Sequence, residues 1–309
     1  MSPRGRHERK KASQPQTPLP SISETDVLPP QQIANPEYAH VFHQHTLRPV
    51  SRLNKPFVPP EMLKDLKITT IPLDFDSGES PNIQIPALIQ LSDRKPNRAS
   101  PYYEYKPRRV SEEPDYLMES QDLWQCVKKH LSPMGYEDFG ETILHRSSWL
   151  PSTFETDMGR WSLVTRDDPD YTWFLSTAYY NYKPLPLDPY KRVHAENKPH
   201  GIGFVIDTTP FDDKRIRASE LKSIATLAFF RNAAPAYRHL DYFGITVVSF
   251  WDREVRIVQG LVNFKTNAIE LRVSPPQSFD AGIRTSDTQY QKFLTLLSYF
   301  GEAHDLAGL

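Results

Sequence analysis

With a single cysteine, Cys126, in 309 residues, the chain can form no intrachain disulfide, which excludes the disulfide framework of small secreted folds. It has no Asn-x-Ser/Thr acceptor, and no run approaches the roughly 18 apolar residues that span a bilayer. The start, Met1 to Lys11, is basic and polar and lacks the apolar stretch of a secretory signal. These absences predict a protein of the cytoplasm or nucleus with no membrane partner. Net charge is scarce as well. With 37 basic and 38 acidic side chains the balance is −1, so there is no whole-chain attraction to nucleic acid or anionic lipid, and nucleic-acid contact is left to local basic clusters.

Proline is abundant, and it is unevenly spread. Of 29 prolines, 18 fall between Pro3 and Pro114, while the hydrophobic share of the whole chain is only 38%. Residues 1–60 are Pro, Gln, Ser and charge, with too few apolar side chains to offset the entropy of ordering, and are expected as a disordered arm. Residues 61–114 carry apolar alternation at Ile68 to Phe75 and Ile83 to Leu91, but Pro72 and Pro86 exclude a central strand. They are expected as an extended or partly ordered linker. Residues 115–309 are long enough to bury a core.

Within that domain the apolar period changes from helix to strand and back. Leu123, Val127 and Leu131 recur at helical spacing and predict a helix from Asp115 to Leu131. Trp161 to Thr165 and Tyr171 to Tyr182 read as two strands around a turn at Asp167 to Asp170. The unbroken run Phe204-Val205-Ile206 predicts a strand buried on both faces, ending near Asp207. A long helix follows from Ser219, the expected cap, through Leu221, Ile224, Ala225, Leu227 and Ala228. A short helical turn is expected from Ala236 to Phe243, closed by Gly244. Ile245 to Phe250, Val255 to Val262 and Ala268 to Ser274 predict an antiparallel meander, broken at Asp252-Arg253 and Thr266-Asn267. Ser286 and Gln289 are spaced to cap a last helix over Asp287 to Phe300. The expected class is α+β: a mostly antiparallel sheet with helices mainly on one face, preceded by the Pro-rich arm.

Candidate chemistry is thin. Asp170, Asp207, Glu220 and Lys222 hold the residue types that metal-dependent phosphodiester cleavage needs, two or more acids and a lysine. Yet Glu220-Leu221-Lys222 falls in a helical first turn, not on a strand as in restriction-endonuclease-like folds, and acids suit that turn anyway. Ser219 and Lys222 form a Ser-x-x-Lys pair without the other marks of an acyl transferase. Cys126 lies on the apolar side of its helix and reads as a small buried hydrophobe. His40, His43 and His45 match no closed zinc motif, and Gly201-Ile202-Gly203 precedes its strand instead of following it, so no metal and no cofactor is expected.

Other features point to interaction. Arg4, Arg6, Arg9, Lys10 and Lys11 form a basic tip that an import receptor can read, and Lys106, Arg108 and Arg109 form a second cluster. Ser111 follows Arg108 and Arg109 at a basophilic kinase spacing and is a candidate phosphorylation site. Aromatics crowd the stretch from Trp149 to Tyr182, where Tyr180 and Tyr182 are candidate interface residues. The preferred expectation is a non-enzymatic module for an unknown protein partner, the alternative a divergent metal-dependent nuclease-like phosphodiesterase.

At Val247-Val248-Ser249-Phe250, Val255-Arg256-Ile257-Val258-Gln259 and Ser274-Pro275-Pro276-Gln277-Ser278-Phe279 the chain resembles a family of filamentous-fungal proteins. Those proteins share a long arm, a helix, this hairpin and a final helix. The resemblance implies an intracellular fungal origin and carries no known activity, so no site residue follows from it.

Overall fold

The computed structural model describes residues 36–80, 115–131, 149–151, 173–185, 188–194, 200–234 and 237–300. A helical segment opens it: α1 (Pro36–Phe42), a wider π turn (His43–Leu47) and α2 (Arg48–Ser51), then α3 (Pro60–Asp65) and β1 (Ile68–Pro72). After these come α4 (Tyr116–Leu131), β2 (Trp149–Pro151), β3 (Trp173–Leu185), β4 (Asp188–His194) and β5 (Gly201–Asp207). The rest is α5 (Ala218–Ala233), β6 (Tyr242–Trp251), β7 (Glu254–Asn263), β8 (Ala268–Val273), β9 (Gln277–Ser278) and α6 (Asp287–Ser298).

One sheet runs in the order β1-β8-β7-β6-β5-β3-β2, with β4 on β3 and β9 on β7. The α+β expectation holds, but the sheet is mixed where it was expected mostly antiparallel. β5 and β6 are parallel because α5 crosses between them, and β1 joins β8 in parallel at the edge. The meander appears as expected, its first turn closed by Asp252 at φ 49° and its second by Asn267 at φ 52°.

Helices cover both faces of the sheet, which corrects the expectation of one covered face and one open one. Phe204, Ile206, Val248, Phe250 and Ile257 point to one side, where they pack with Leu123, Trp124 and Val127 of α4 and Phe293 and Leu297 of α6. Val205, Ile245, Val247, Val258 and Leu271 point to the other and meet Leu221, Ile224, Leu227 and Ala228 of α5. That is why β5 reads as a continuous apolar run: every one of its residues is buried. On its outer side α5 is covered again, by the helical segment of residues 36–51 through Phe42 and Val50.

Residues 36–60, expected as part of a disordered arm, instead carry α1, the π turn and α2 and pack on the domain. Phe42, Val50 and Val58 are buried, and the backbone of Val58 donates to Ile216. Apolar side chains too sparse to form a core of their own gain burial by docking on α5. β1 is an edge strand ending at Pro72, in keeping with the limit that proline sets. Residues 1–35 and 81–114 lie outside the described residues, as do the expected strand Trp161 to Thr165 and its turn. Of the helical turn expected over Ala236 to Phe243, residues 237–240 do form a tight turn, with the Leu240 N–H donating to the Tyr237 carbonyl at 2.9 Å, but β6 takes over at Tyr242 and includes Gly244. Its alternation with β7 across the register wins over the local glycine signal.

Two glycines set how closely α5 approaches the sheet. A Cβ on Gly260 would lie 2.4 Å from Ile224 Cγ2, and one on Gly203 2.7 Å from Leu227 Cδ1. Gly260→Ala is expected to cost about 1–3 kcal/mol by overpacking. Pairing it with Ile224→Ala should return part of that loss, read as a coupling in a double-mutant cycle of urea midpoints.

Candidate functional site

Of the residues singled out for chemistry, Asp207, Ser219 and Glu220 gather at the carboxyl ends of β5 and β6, where the loop of residues 208–217 leads into α5. Asp207 closes β5 and is buried. Its Oδ1 accepts the Thr209 backbone N–H at 2.7 Å, and its Oδ2 accepts the Ser219 hydroxyl. Ser219 was expected to cap the helix; instead α5 starts at Ala218 with Arg217 at the cap position, and Ser219 is spent on Asp207. Capping falls to Glu220, whose Oε2 accepts the backbone N–H of Arg217 at 3.0 Å.

Glu220 is wholly buried and paired to two guanidinium groups. Arg256 of β7 donates to it from Nε at 3.0 Å and from an Nη at 2.6 Å, and Arg217 from Nε at 3.4 Å. Both arginines then hold the loop: Arg217 donates to the Thr209 carbonyl at 2.8 Å and to the Ser249 hydroxyl, and Arg256 to the Asp212 carbonyl at 2.9 Å. The Phe211 ring lies against both, 3.9 Å from the Arg217 guanidinium and 4.9 Å from that of Arg256.

Two carboxylates and two guanidiniums thus share one dry region. Burial pushes the Glu220 carboxyl up, but Arg256 and Arg217 outweigh it and hold the group below its ordinary range. Asp207 goes the other way, because burial exceeds what Arg217, Ser219 and Thr209 return. Burial likewise lowers Arg217, against the pull of Asp207 and Glu220. The chemistry of this arrangement is bracing. Every oxygen of Glu220 faces N–H donors, and the two carboxylates turn to different partners instead of a common centre. Among the described residues no group of three His, Cys, Asp or Glu is placed to hold a metal ion.

Of the remaining sequence candidates, Lys222 is buried in α5 with its Nζ 5.6 Å from the centre of the Trp173 ring. Cys126 is buried in the α4 layer. Tyr180 sits in β3 opposite Gly201 and Leu150, and Tyr182 opposite His194. Asp170, Ser111, Lys106, Arg108, Arg109 and the basic tip Arg4, Arg6, Arg9, Lys10 and Lys11 lie outside the described residues. Sequence reasoning missed Arg217 and Arg256. The signal was present, an arginine inside the apolar run Val255-Arg256-Ile257-Val258 and an Arg-x-x-Glu spacing before α5.

Just outside this braced loop lies an aromatic surface. Tyr116, at the start of α4 and 43% exposed, stacks on Trp251 at 5.6 Å, and Phe211 meets the other edge of Trp251 at 6.5 Å. Acids surround it. Burial raises Glu254, and Asp252, Asp213 and Asp280 add to the rise by repulsion. Burial raises Asp252 as well, with Arg253 opposing and Glu119 adding. Glu119 itself pairs with Arg253 at 3.3 Å. Among the described residues no helix is long and apolar enough to cross a membrane. The chain matches no protein-family model, no curated protein and no solved structure.

Proposed function

We propose that the chain is a non-enzymatic protein-interaction module of the cytoplasm or nucleus, and that its contact surface is the Tyr116–Trp251–Phe211 patch. The observation that carries this reading is Tyr116: a large aromatic, 43% exposed, held in place by stacking on Trp251 and set among carboxylates that repel one another. Aromatic anchors dominate interface energetics, and a rim of like charge gains most from a partner of opposite sign. The partner that fits is an extended segment presenting Lys or Arg. Its cation would face the Tyr116 ring and relieve the repulsion among Asp252, Glu254 and Asp213. Covered on both faces by helices, the sheet offers little room for contact through an open face.

A Lys- and Arg-rich peptide titrated into the full chain should change Trp251 emission and bind more weakly as salt rises. Tyr116→Ala is expected to weaken binding by about 10–30-fold, the scale of a hot-spot residue, while leaving the urea midpoint nearly unchanged. The sign with pH is fixed by the raised carboxyls: they gain protons at a pH above their ordinary range, so affinity falls as pH drops toward it. Equal binding by wild type and Tyr116→Ala would remove the patch from consideration. The alternative, a metal-dependent phosphodiesterase built on Asp207, Glu220 and Lys222, requires carboxylate oxygens open to a cation. Manganese-dependent cleavage of DNA or RNA, lost in Asp207→Asn, would reinstate it.

A further inference from the structure

Toward the amino end of β5, the apolar face under α4 and α6 changes to a polar row. Arg272 of β8 lies opposite Gln259 of β7, which lies opposite Thr246 of β6, which lies opposite Ile202 of β5. Register partners share a face, and Ile202 belongs to the cluster packed under α4 and α6, so all four side chains project to that side. Above the row stand Ile257 and Val248, and beside it Glu270, one third exposed.

Arg272 is 2% exposed and Gln259 5%. The Nε of Arg272 donates to Glu270 at 3.0 Å. Among the described residues both Nη atoms, which carry the remaining donors of the fork, have no partner, and neither has the Oε1 acceptor of Gln259. Buried polar groups are satisfied in native proteins as a rule, and a guanidinium edge left bare costs more than a neutral group would. Glu270 neutralises Arg272 only partly, because it is open to solvent screening. Directly opposed residues on adjacent strands bring their side chains within about 4.5–5.5 Å at Cβ, so one small molecule reaches both. It must supply oxyanion oxygens to the planar edge of Arg272 and, next to them, an O–H or N–H for Gln259.

We propose that this row is a binding site for a small carboxylate that carries a hydroxyl or amino group on the neighbouring carbon. The carboxylate takes the two Nη atoms of Arg272 in the fork geometry that guanidinium prefers, and the adjacent donor takes Gln259 Oε1. Ile257, Val248 and Ile202 border the row with apolar side chains. The site is on a different part of the sheet from the Tyr116 patch and rests on different residues.

Calorimetric titration of the full chain with glycolate, acetate and inorganic phosphate tests this. Glycolate should bind, and about tenfold more tightly than acetate, the size of one hydrogen bond to a buried acceptor. Gln259→Met should bring glycolate down to the level of acetate, and Arg272→Met should abolish both. Should Arg272→Met not fold, as judged by circular dichroism, the Gln259→Met comparison decides alone. Absence of binding by all three probes would assign the unpaired atoms to water and overturn the proposal. Preference for phosphate over glycolate, or an unchanged glycolate preference in Gln259→Met, would overturn it too.

Discussion

Glu220→Gln is expected to destabilise the fold by about 3–5 kcal/mol, the cost of removing one member of a buried ionic group and leaving the others uncompensated. The glutamine would fill the same space, so the loss is electrostatic. Arg217 and Arg256 both lean on this carboxylate, and the charge of Arg256 lowers the affinity of Arg217 for its proton. Without it, two positive groups remain buried away from bulk solvent. Against a typical total of roughly 5–15 kcal/mol, such a loss should be plain in urea unfolding. Arg256→Met should cost less, because Glu220 retains Arg217, and the double variant should cost less than the sum. The pH profile carries a second signature. Glu220 has its folded value held below 4.5, so its contribution is present above that pH and is lost as the medium is acidified through the folded value. Glu220→Gln should lack that acid limb. Asp207, raised by burial, contributes in the opposite sense and gains stability on acidification, so the wild-type curve combines both. A cost below about 1 kcal/mol for Glu220→Gln would mean that the carboxylate is not the keystone of the loop.

How much of this could be read beforehand depends on whether the signal was local. The antiparallel meander was legible because alternation and turn residues agree over Ile245 to Ser274. The last helix was legible for the same reason, its start fixed by Ser286 accepting from the Gln289 backbone N–H. The burial of β5 was legible in Phe204-Val205-Ile206, but its meaning was not followed to the end: a strand buried on both sides requires helices on both sides. Residues 36–60 misled because they look unfoldable alone. Phe42 and Val50 are sparse in sequence, and only the outer side of α5 shows what they cover. Glu220 was seen but assigned a local duty, since its position in a first turn is ordinary. Its real partners are Arg217, three residues before it, and Arg256, 36 residues after it on another strand. That long-range pairing has no periodic trace.

The braced loop and the exposed patch are consecutive links of one arrangement. Arg217 and Arg256 hold Phe211 by their guanidinium faces, and Phe211 in turn meets Trp251, on which Tyr116 stacks. Rigid support of this kind lowers the entropy that an aromatic contact residue loses on binding. A buried ionic group that contributes little net stability would still be of use as the element that aims the surface.

Trp124→Ala should destabilise the fold by about 3–5 kcal/mol, through lost burial and the cavity left behind. The tryptophan is nearly inaccessible, with its ring centre 4.1 Å from that of Phe204 and 5.9 Å from that of Phe250, so it joins α4 to β5 and β6 together. Phe204 also stacks on Phe300 at 5.4 Å, which ties the end of α6 into the same cluster. Collapse into the void is hindered because its walls belong to three elements whose positions are fixed by the sheet register. Tyr116→Ala on the same helix is the internal control, since its side chain is 43% exposed and lies outside the core cluster, and its loss should fall within about 0.5 kcal/mol. A small effect for Trp124→Ala, comparable to that control, would mean that α4 does not cover the sheet. That layer would then be left to α6, and the part of the apolar face next to Trp124, with Phe204 and Phe250, would be the open surface that a partner would seek first.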